Sequence, residues 1–503
     1  MLAELGQLIA AAMTLDQLLA ETIFQLRQTA LHGRLIHAKC LRRGQHAAGA
    51  REREEMLKIV PIEHALSMQS CQVARQLCDC RNRCVGASLA SPSGDWAERK
   101  PAFRADTGPS KRLVDAVSLI EAARELAPKI EAARADIERD RQIPRALVDA
   151  IGDAGLFALW LPKAFDGPEL NLVDYIRVIE ELARADGSVA WCATVAACYS
   201  RIAGYLQPDI ALRIFGGGRT VVAGTINPTG KAFTVDGGYR VTGRWAYGSG
   251  ILHSTWTLGN CIVHDREGPR RGSSGAPELR LVIFPTGAVE VIDTWHVSGL
   301  RGTGSHDYRV ADLFVRDDHS ILCFDAMPLQ PGTLYAVPMI TVLSVAIAAV
   351  PLGIARAAID TAVELAQVKT PGLPSLHGSS LLLRDKPTFQ AAVGRAEALL
   401  GSARSFLLAT VGDLWDEVSS GVAASMKRRA MVRLACTQAA QSAAQAVDLM
   451  YNAGGGTSLY ETSRLERCFR DVHACTQHIA TSTDSYELGG RVMLGFDPGR
   501  PQF

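Results

Sequence analysis

Residues 237–256 read Gly-Gly-Tyr-Arg-Val-Thr-Gly-Arg-Trp-Ala-Tyr-Gly-Ser-Gly-Ile-Leu-His-Ser-Thr-Trp. The pattern predicts a turn, a strand over Tyr239–Gly243, and then a glycine-punctuated segment, Tyr247-Gly248-Ser249-Gly250. Glycine lacks the Cβ that keeps backbone away from a flat surface, so chain at Gly248 and Gly250 can turn sharply or lie close to a ligand. Ser249 can then aim a hydroxyl at whatever lies there, with Trp245 and Trp256 supplying flat surfaces on either side. The plainer alternative is a β-hairpin with a bulge.

Working outward, short β-type runs surround this stretch. Thr220–Thr225, Ala232–Asp236, Trp256–His264, Leu279–Phe284, Val289–Trp295 and Tyr308–Val315 recur at even intervals, and Asp236-Gly-Gly is a hairpin turn. They predict a small β-barrel or sandwich over 220–326. Upstream, 112–219 has helical period. Val114, Val117, Ala123, Leu126 and Ile130 form one stripe, Pro144 opens a second helix, and Gly155 closes it. Leu172–Arg184 is helical, and Asp186-Gly-Ser188 caps a further helix, Val189–Leu206. Downstream, in 327–503, four long segments (Leu334–Ala366, Lys386–Val418, Val422–Tyr451 and Arg464–Thr481) predict an antiparallel four-helix bundle. The fold class is therefore α+β: helical domain, β-domain, helical bundle.

The totals exclude several functions. A chain of 503 residues supports two to four domains. A net charge of +1 with 21% charged residues gives no basic surplus to hold nucleic acid. The twelve cysteines are scattered, seven of them beyond the first hundred residues without paired spacing, which fits a reducing cytoplasm better than a disulfide framework. Leu334–Ala355 carries no charge over a length that could span a bilayer, but its prolines and alanines read as a buried bundle helix, so no membrane association is expected. No signal peptide is evident at the start. Residues 1–111 read as an atypical extension. Cys78-x-Cys80-x3-Cys84 with His64 upstream invites a zinc reading, yet the spacing lacks a C-x2-C pair, and no metal site is expected.

The order of these blocks, with their motifs, resembles the acyl-CoA dehydrogenase superfamily. Ile143-Pro with Ile151-Gly and Gly155-Leu, then Leu161-Pro with Asp166-Gly, is similar to the family's opening helix pair. Tyr239-Arg-Val-Thr-Gly-Arg-Trp is similar to its first hairpin strand. Leu300-Arg-Gly-Thr-Gly-Ser with Val310–Val315 is similar to the strand pair that ends its β-domain. Gly454-Gly-Gly456, followed by Leu465-Glu-Arg and Arg470-Asp471, is similar to its final-helix signature. The resemblance spans Arg112 to Pro498. It implies a flavin, FMN or FAD, covered by the β-domain: Gly224, Thr225 and Asn227 along the ring or ribityl chain, Trp245 beside it, and Ser249 at flavin N5. Asn452 and Gly455 take the position that grips the cofactor across a subunit interface in a homotetramer.

The resemblance also separates two chemistries. A dehydrogenase removes an α-proton from an acyl-CoA thioester and needs a carboxylate base. The family's two base positions correspond here to the turn His478-Ile479-Ala480 and to Leu343, eight residues before Pro351-Leu-Gly353, and neither holds a carboxylate. His478 stands there instead. With Gly243-Arg-Trp and the ending Gly490-Arg-Val, this resembles the branch of two-component monooxygenases, which take reduced flavin from a separate flavin reductase. The implied reaction hydroxylates an aromatic or polycyclic small molecule with O2 through a flavin C4a-hydroperoxide. Ser249 would protect that species by bonding N5, and His478 would donate a proton or activate a phenol. Trp191, ending the Asp186-Gly-Ser-Val-Ala-Trp pattern, and Tyr199 are candidate substrate contacts, although several relatives carry a histidine on that helix which is missing here. His253 and His306 are expected to be surface or structural residues. An acyl-CoA dehydrogenase or oxidase with a displaced base, and a flavin-free binding relative, are the alternatives.

Overall fold

The computed structural model describes residues 115–500, except 273–274, 371 and 373–380. The whole extension 1–111, with its Cys78–Cys84 cluster, lies outside them. Among the described residues, no group of His, Cys, Asp or Glu side chains could hold a metal ion.

The helical block begins with α1, Ala116–Ala132, which buries Leu119, Ala123, Leu126 and Ile130 at helical spacing. Asp115 caps it by accepting from the Ser118 amide at 2.8 Å. Val117, counted in the expected stripe, faces solvent instead. Helices α2, Arg134–Asp140, and α3, Arg145–Asp153, follow. Pro144 sits just before α3 rather than in its first turn, and Gly155 closes the turn beyond it at φ 74°. Helix α4, Leu172–Ala185, is followed by α5, Gly187–Ser200. The Asp186 carboxylate caps α5 by accepting from the Ser188 and Val189 amides at 2.9 and 3.0 Å. The expected Val189–Leu206 helix tightens to a 3-10 turn at Arg201–Tyr205, and α6, Pro208–Phe215, ends the block.

The β-domain is one mixed sheet: β1 Val222–Val235, β2 Gly238–Gly248, β3 Trp256–Asp265, β4 Gly268–Pro269, β5 Leu279–Pro285, β6 Glu290–Ile292, β7 His306–Arg316 and β8 Ser320–Leu322. The strand order is β6-β7-β2-β1-β3-β5-β8, with β4 on β3. The two strands expected at 220–236 are one long strand, which pairs parallel to β3 with a register break between Thr225 and Gly230. Such a break bends a strand and frees its backbone locally.

Trp245 corrects an expectation. Its indole is fully buried, donates to the Asn260 carbonyl at 2.8 Å and stacks on Tyr308 at 5.3 Å. Gly230, Gly243 and Gly259 enclose it so closely that a Cβ there would come within 2.2–2.6 Å of the ring. Trp245 is the keystone of the β-core and has no face left for a flavin.

The bundle holds α7 Thr333–Ala336, α8 Met339–Ala366, α9 Pro387–Ser419, α10 Met426–Gly454, α11 Arg464–Thr476 and α12 Asp484–Met493. Helix α8 packs against α10, α11 and α4, and α9 packs against α10. Among the described residues α8 alone is long and apolar enough to cross a membrane, and 89% of its most apolar window is buried inside the protein. Gly353 permits its contact with α4, because a Cβ there would lie 2.3 Å from the Glu180 carbonyl. The expected last helix, Arg464–Thr481, stops at Thr476. His478 then caps a 3-10 turn, Ile479–Thr481, by accepting from the Ala480 amide, and α12 begins anew.

Candidate active site

At the end of β2 the chain turns on three unusual residues. Tyr247 adopts φ 66°, Gly250 adopts φ 77°, and Gly248 packs so tightly on Tyr308 that a Cβ would come within 2.9 Å. A left-handed Tyr costs about 1–2 kcal/mol and persists only where its surroundings hold it. The Ser249 amide donates to the Tyr247 carbonyl at 2.9 Å, and the Gly250 amide donates to the Thr303 carbonyl at 2.8 Å. These contacts drive the Ser249 side chain inward, where it is 6% exposed.

Three segments distant in sequence meet there. From α5, Trp191 donates its indole N–H to Ser249 Oγ at 3.2 Å. From the loop before β7, Ser305 Oγ lies 2.7 Å from Ser249 Oγ, and Thr303 Oγ1 lies 2.7 Å from Ser305 Oγ. From the turn after α11, the His478 ring stands edge-on to Trp191 at 5.7 Å. The segment Leu300-Arg-Gly-Thr-Gly-Ser, expected as part of a strand pair, is instead a 3-10 turn at Arg301–Thr303 between left-handed Leu300 and Gly304. That turn brings the two hydroxyls under Ser249.

His478 is half-buried, and burial, aided by the Arg433 guanidinium, lowers its pKa to about 4. Its Nδ1 accepts from the Ala480 amide at 3.1 Å. The neutral ring therefore carries its proton on Nε2 and acts as a hydrogen-bond donor. Arg433 donates to Ser344 Oγ at 2.7 Å and Ser485 Oγ at 3.2 Å, and no carboxylate is among the charged groups that act on it within the described residues. Of the two positions where a dehydrogenase needs its base, Ile479 is exposed and Leu343 packs against the bundle core.

The remaining candidates are spread more widely. Gly224 is pressed against β3, where a Cβ would meet the Leu258 carbonyl at 2.3 Å, so its φ of 151° is explained by strand packing. Thr225 borders the β1 register break, and Asn227 lies within it. Thr225 Oγ1 accepts from the Asn227 amide at 3.3 Å, and the Asn227 side chain is exposed. Tyr199 packs, half-buried, against the apolar cluster that contains Ile202, Leu206 and Leu258, and burial raises its phenol pKa. Asn452 and Gly455 lie exposed at the end of α10, where Lys369 Nζ bonds the Gly454 carbonyl and Thr457 Oγ1. No hydrogen bond or ring contact joins them to Ser249.

The sequence reading missed Thr303, Ser305 and Arg433. The first two had a signal in the alternation Gly-Thr-Gly-Ser. Arg433 had none, because burial of a charge inside an alanine-rich helix leaves no local mark. His253 and His306 are both buried rather than surface residues. His306 Nδ1 accepts from the Thr294 and Trp295 amides, a structural role. His253 Nε2 has no partner among the described residues, and burial lowers its pKa to about 4.

Comparison with known proteins agrees with this architecture. A family model described as the acyl-CoA dehydrogenase N-terminal domain matches residues 115–206, and one described as the C-terminal domain matches residues 345–483. The chain belongs to the acyl-CoA dehydrogenase superfamily. Within it, the chain is similar to indole-3-acetate monooxygenase of Pseudomonas putida, at 31% identity over 72% of this chain and 90% of the relative. It is 26% identical to HsaA of Mycobacterium tuberculosis, the oxygenase subunit of a flavin-dependent monooxygenase, over 76% and 97% of the two chains. Among solved structures it matches XiaF from Streptomyces sp. in complex with FADH2 and glycerol, with TM-score 0.69 and 27% identity over 77% and 98% of the chains. The chain is thus a flavin-dependent monooxygenase of the oxygenase-component type. It uses reduced flavin, a reductase that supplies it and a small-molecule substrate.

The site fits that cofactor. Ser249 Oγ, donating to Ser305 and accepting from Trp191, keeps one lone pair open, and the β1 break leaves the Asn227 side chain exposed beside it while Thr225 Oγ1 holds the Asn227 amide.

Proposed function

We propose that this chain hydroxylates an aromatic or polycyclic small molecule beside Ser249, Trp191 and His478. The observation that carries the proposal is the meeting of those three side chains at a point where both dehydrogenase base positions are apolar. The substrates after which relatives are named, indole-3-acetate and resorcinol, support an aromatic acceptor.

Reduced flavin, when bound, supplies the reducing equivalents that activate O2. The protein's part is positional. Ser249 holds N5, Thr225 and Asn227 contact the ring or ribityl chain, and Gly224 keeps the strand beneath flat. Trp191 and the apolar wall of α8 exclude water, which limits loss of oxygen as peroxide. His478 offers its Nε2 proton as a neutral hydrogen bond to the substrate oxygen or the transferring oxygen. With its pKa near 4 it does this without charging at neutral pH. Tyr199 borders the substrate space. Asn452 and Gly455, exposed on the bundle, grip the cofactor of a neighbouring subunit in a cytoplasmic homotetramer without membrane association. The seven free cysteines among the described residues support a reducing compartment.

The test supplies FMN or FAD, a flavin reductase and 18O2 to an aromatic panel that includes indole-3-acetate and resorcinol. One labelled oxygen should enter the product, and His478→Ala should cut product yield at least tenfold while leaving reduced-flavin affinity within twofold. Anaerobic bleaching of oxidised flavin by an acyl-CoA, with no labelled product, would overturn the proposal.

A further inference from the structure

The hydroxyl chain below Ser249 has a direction, and the direction selects a flavin oxidation state. Thr303 Oγ1 lies 2.8 Å from the Leu300 carbonyl, which can only accept, so the Thr303 proton points there. Ser305, 2.7 Å from Thr303 Oγ1, must then donate to it. Ser249, 2.7 Å from Ser305, must in turn donate to Ser305. The Trp191 indole N–H, which can only donate, enters the other end at Ser249 Oγ. Every proton in the relay Trp191→Ser249→Ser305→Thr303→Leu300 is committed in one direction. Ser249, Thr303 and Ser305 are all buried, so water does not compete at any of the three. What Ser249 retains is one lone pair, and its next partner must be a donor.

Flavin N5 changes character on reduction. In oxidised flavin it is a bare acceptor nitrogen, whereas in the dihydro form it carries a hydrogen and donates. We propose that Thr303 and Ser305 are positioning residues that hold Ser249 as an acceptor, so that the site prefers reduced over oxidised flavin. This rests on the reading that Ser249 meets N5. The preference has a size. For Ser249 to donate to oxidised flavin, the relay must reverse, with Thr303 turning to Ser305 and Ser305 to Ser249. The Leu300 carbonyl then loses Thr303 but keeps the Trp295 indole N–H at 3.1 Å. One buried hydrogen bond is lost, which corresponds to a preference of about fivefold in Kd. The arrangement suits an oxygenase fed by a separate reductase: it binds the flavin that brings electrons and releases the spent form.

The experiment measures Kd for FMN and for FAD, oxidised and anaerobically reduced, in the full-length protein and in three variants. Ser305→Ala frees the Ser249 proton without touching the Trp191 bond. It should lower the ratio of oxidised to reduced Kd by about fivefold, mainly by tightening oxidised flavin. Thr303→Val removes the anchor of the relay and should lower the ratio in the same direction. A purely structural role for these hydroxyls would weaken both flavin states alike and leave the ratio unchanged, and that result overturns the inference. Ser249→Ala separates the two claims. If it alters neither Kd, Ser249 does not meet N5 and the underlying reading fails. If it weakens reduced flavin while Ser305→Ala leaves the ratio unmoved, only the relay fails.

Discussion

At the scale of single residues, two histidines, His253 buried and His478 half-buried, dominate the chemistry of pH. His253 stacks on Phe157 with its Nε2 unpartnered among the described residues, and burial lowers its pKa from 6.5 to about 4. The unfolded chain takes up a proton as pH falls below 6.5, while the folded protein refuses it until about pH 4. The folded state therefore loses stability progressively across that window, by roughly 2–3 kcal/mol. His253→Phe keeps the stack and removes the titrating group, so it should flatten the fall in Tm between pH 7 and 4.5. His478 is displaced in the same direction, with burial the larger cause and Arg433 the smaller. If its neutral Nε2–H serves the reaction, product yield with supplied reduced flavin should hold down to about pH 5 and fall only towards pH 4. Arg433→Met should shift that acid limb upward, because the neutral variant no longer repels the incoming proton. A limb near pH 6.5 in the wild type would mean that His478 titrates as in water.

At the scale of elements, the sequence disclosed periods but not junctions. The strand around Tyr239 and the apolar length of α8 were legible, because alternation and helical spacing are local properties. The union of 222–235 into one bulged strand was not, since it is decided by pairing with β3, a partner distant in sequence. Nor was the break after Thr476, where His478 exchanges a helical bond for a side-chain cap. Trp245 shows the same limit. Its sequence neighbours suggested a ligand, but its position is fixed by Gly230 and Gly259, which belong to other strands. Ser249 was legible because its glycines are adjacent, whereas the relay beneath it comes from β7's approach loop. Trp245→Ala should cost about 3–5 kcal/mol, as a buried aromatic is lost without room for collapse. Gly259→Ala, which forces a Cβ into the ring, should destabilise through overpacking by about 1–3 kcal/mol. Denaturant midpoints at a common m-value measure both. A Trp245→Ala protein of unchanged stability with weakened flavin binding would restore the ligand role that its burial denies.

At the scale of the whole molecule, the active site depends on one buried charge cluster that joins all three blocks. Asp471 of α11 accepts from the Leu300 amide at 2.6 Å, and Leu300 begins the turn that delivers Thr303 and Ser305. Arg467, one helical turn earlier, lies 3.6 Å from Asp471 and 2.7 Å from Asp186, the residue that caps α5 and so sets the angle of Trp191. Arg470 pairs with Glu138 of α2 at 2.9 Å. Burial raises the Asp471 pKa to about 6 against the opposing pull of Arg467, so the carboxylate is held at some cost. Arg467 keeps its closer pair with Asp186 when Asp471 is removed, so the cost falls mainly on the Leu300 amide left without its acceptor, about 1–3 kcal/mol. Asp471→Ala removes the acceptor for the Leu300 amide as well as a partner of Arg467. It should therefore lower Tm and, in the fraction still folded at low temperature, weaken reduced-flavin binding, since the turn carrying Ser305 loses its anchor. Arg309→Ala is the control. Its pair with Glu290 is more than half exposed at both ends, and its loss should move stability by less than about 1 kcal/mol and flavin affinity not at all. A variant at Asp471 that melts early yet binds reduced flavin with wild-type Kd would show that the cluster holds the fold together without setting the geometry of the site.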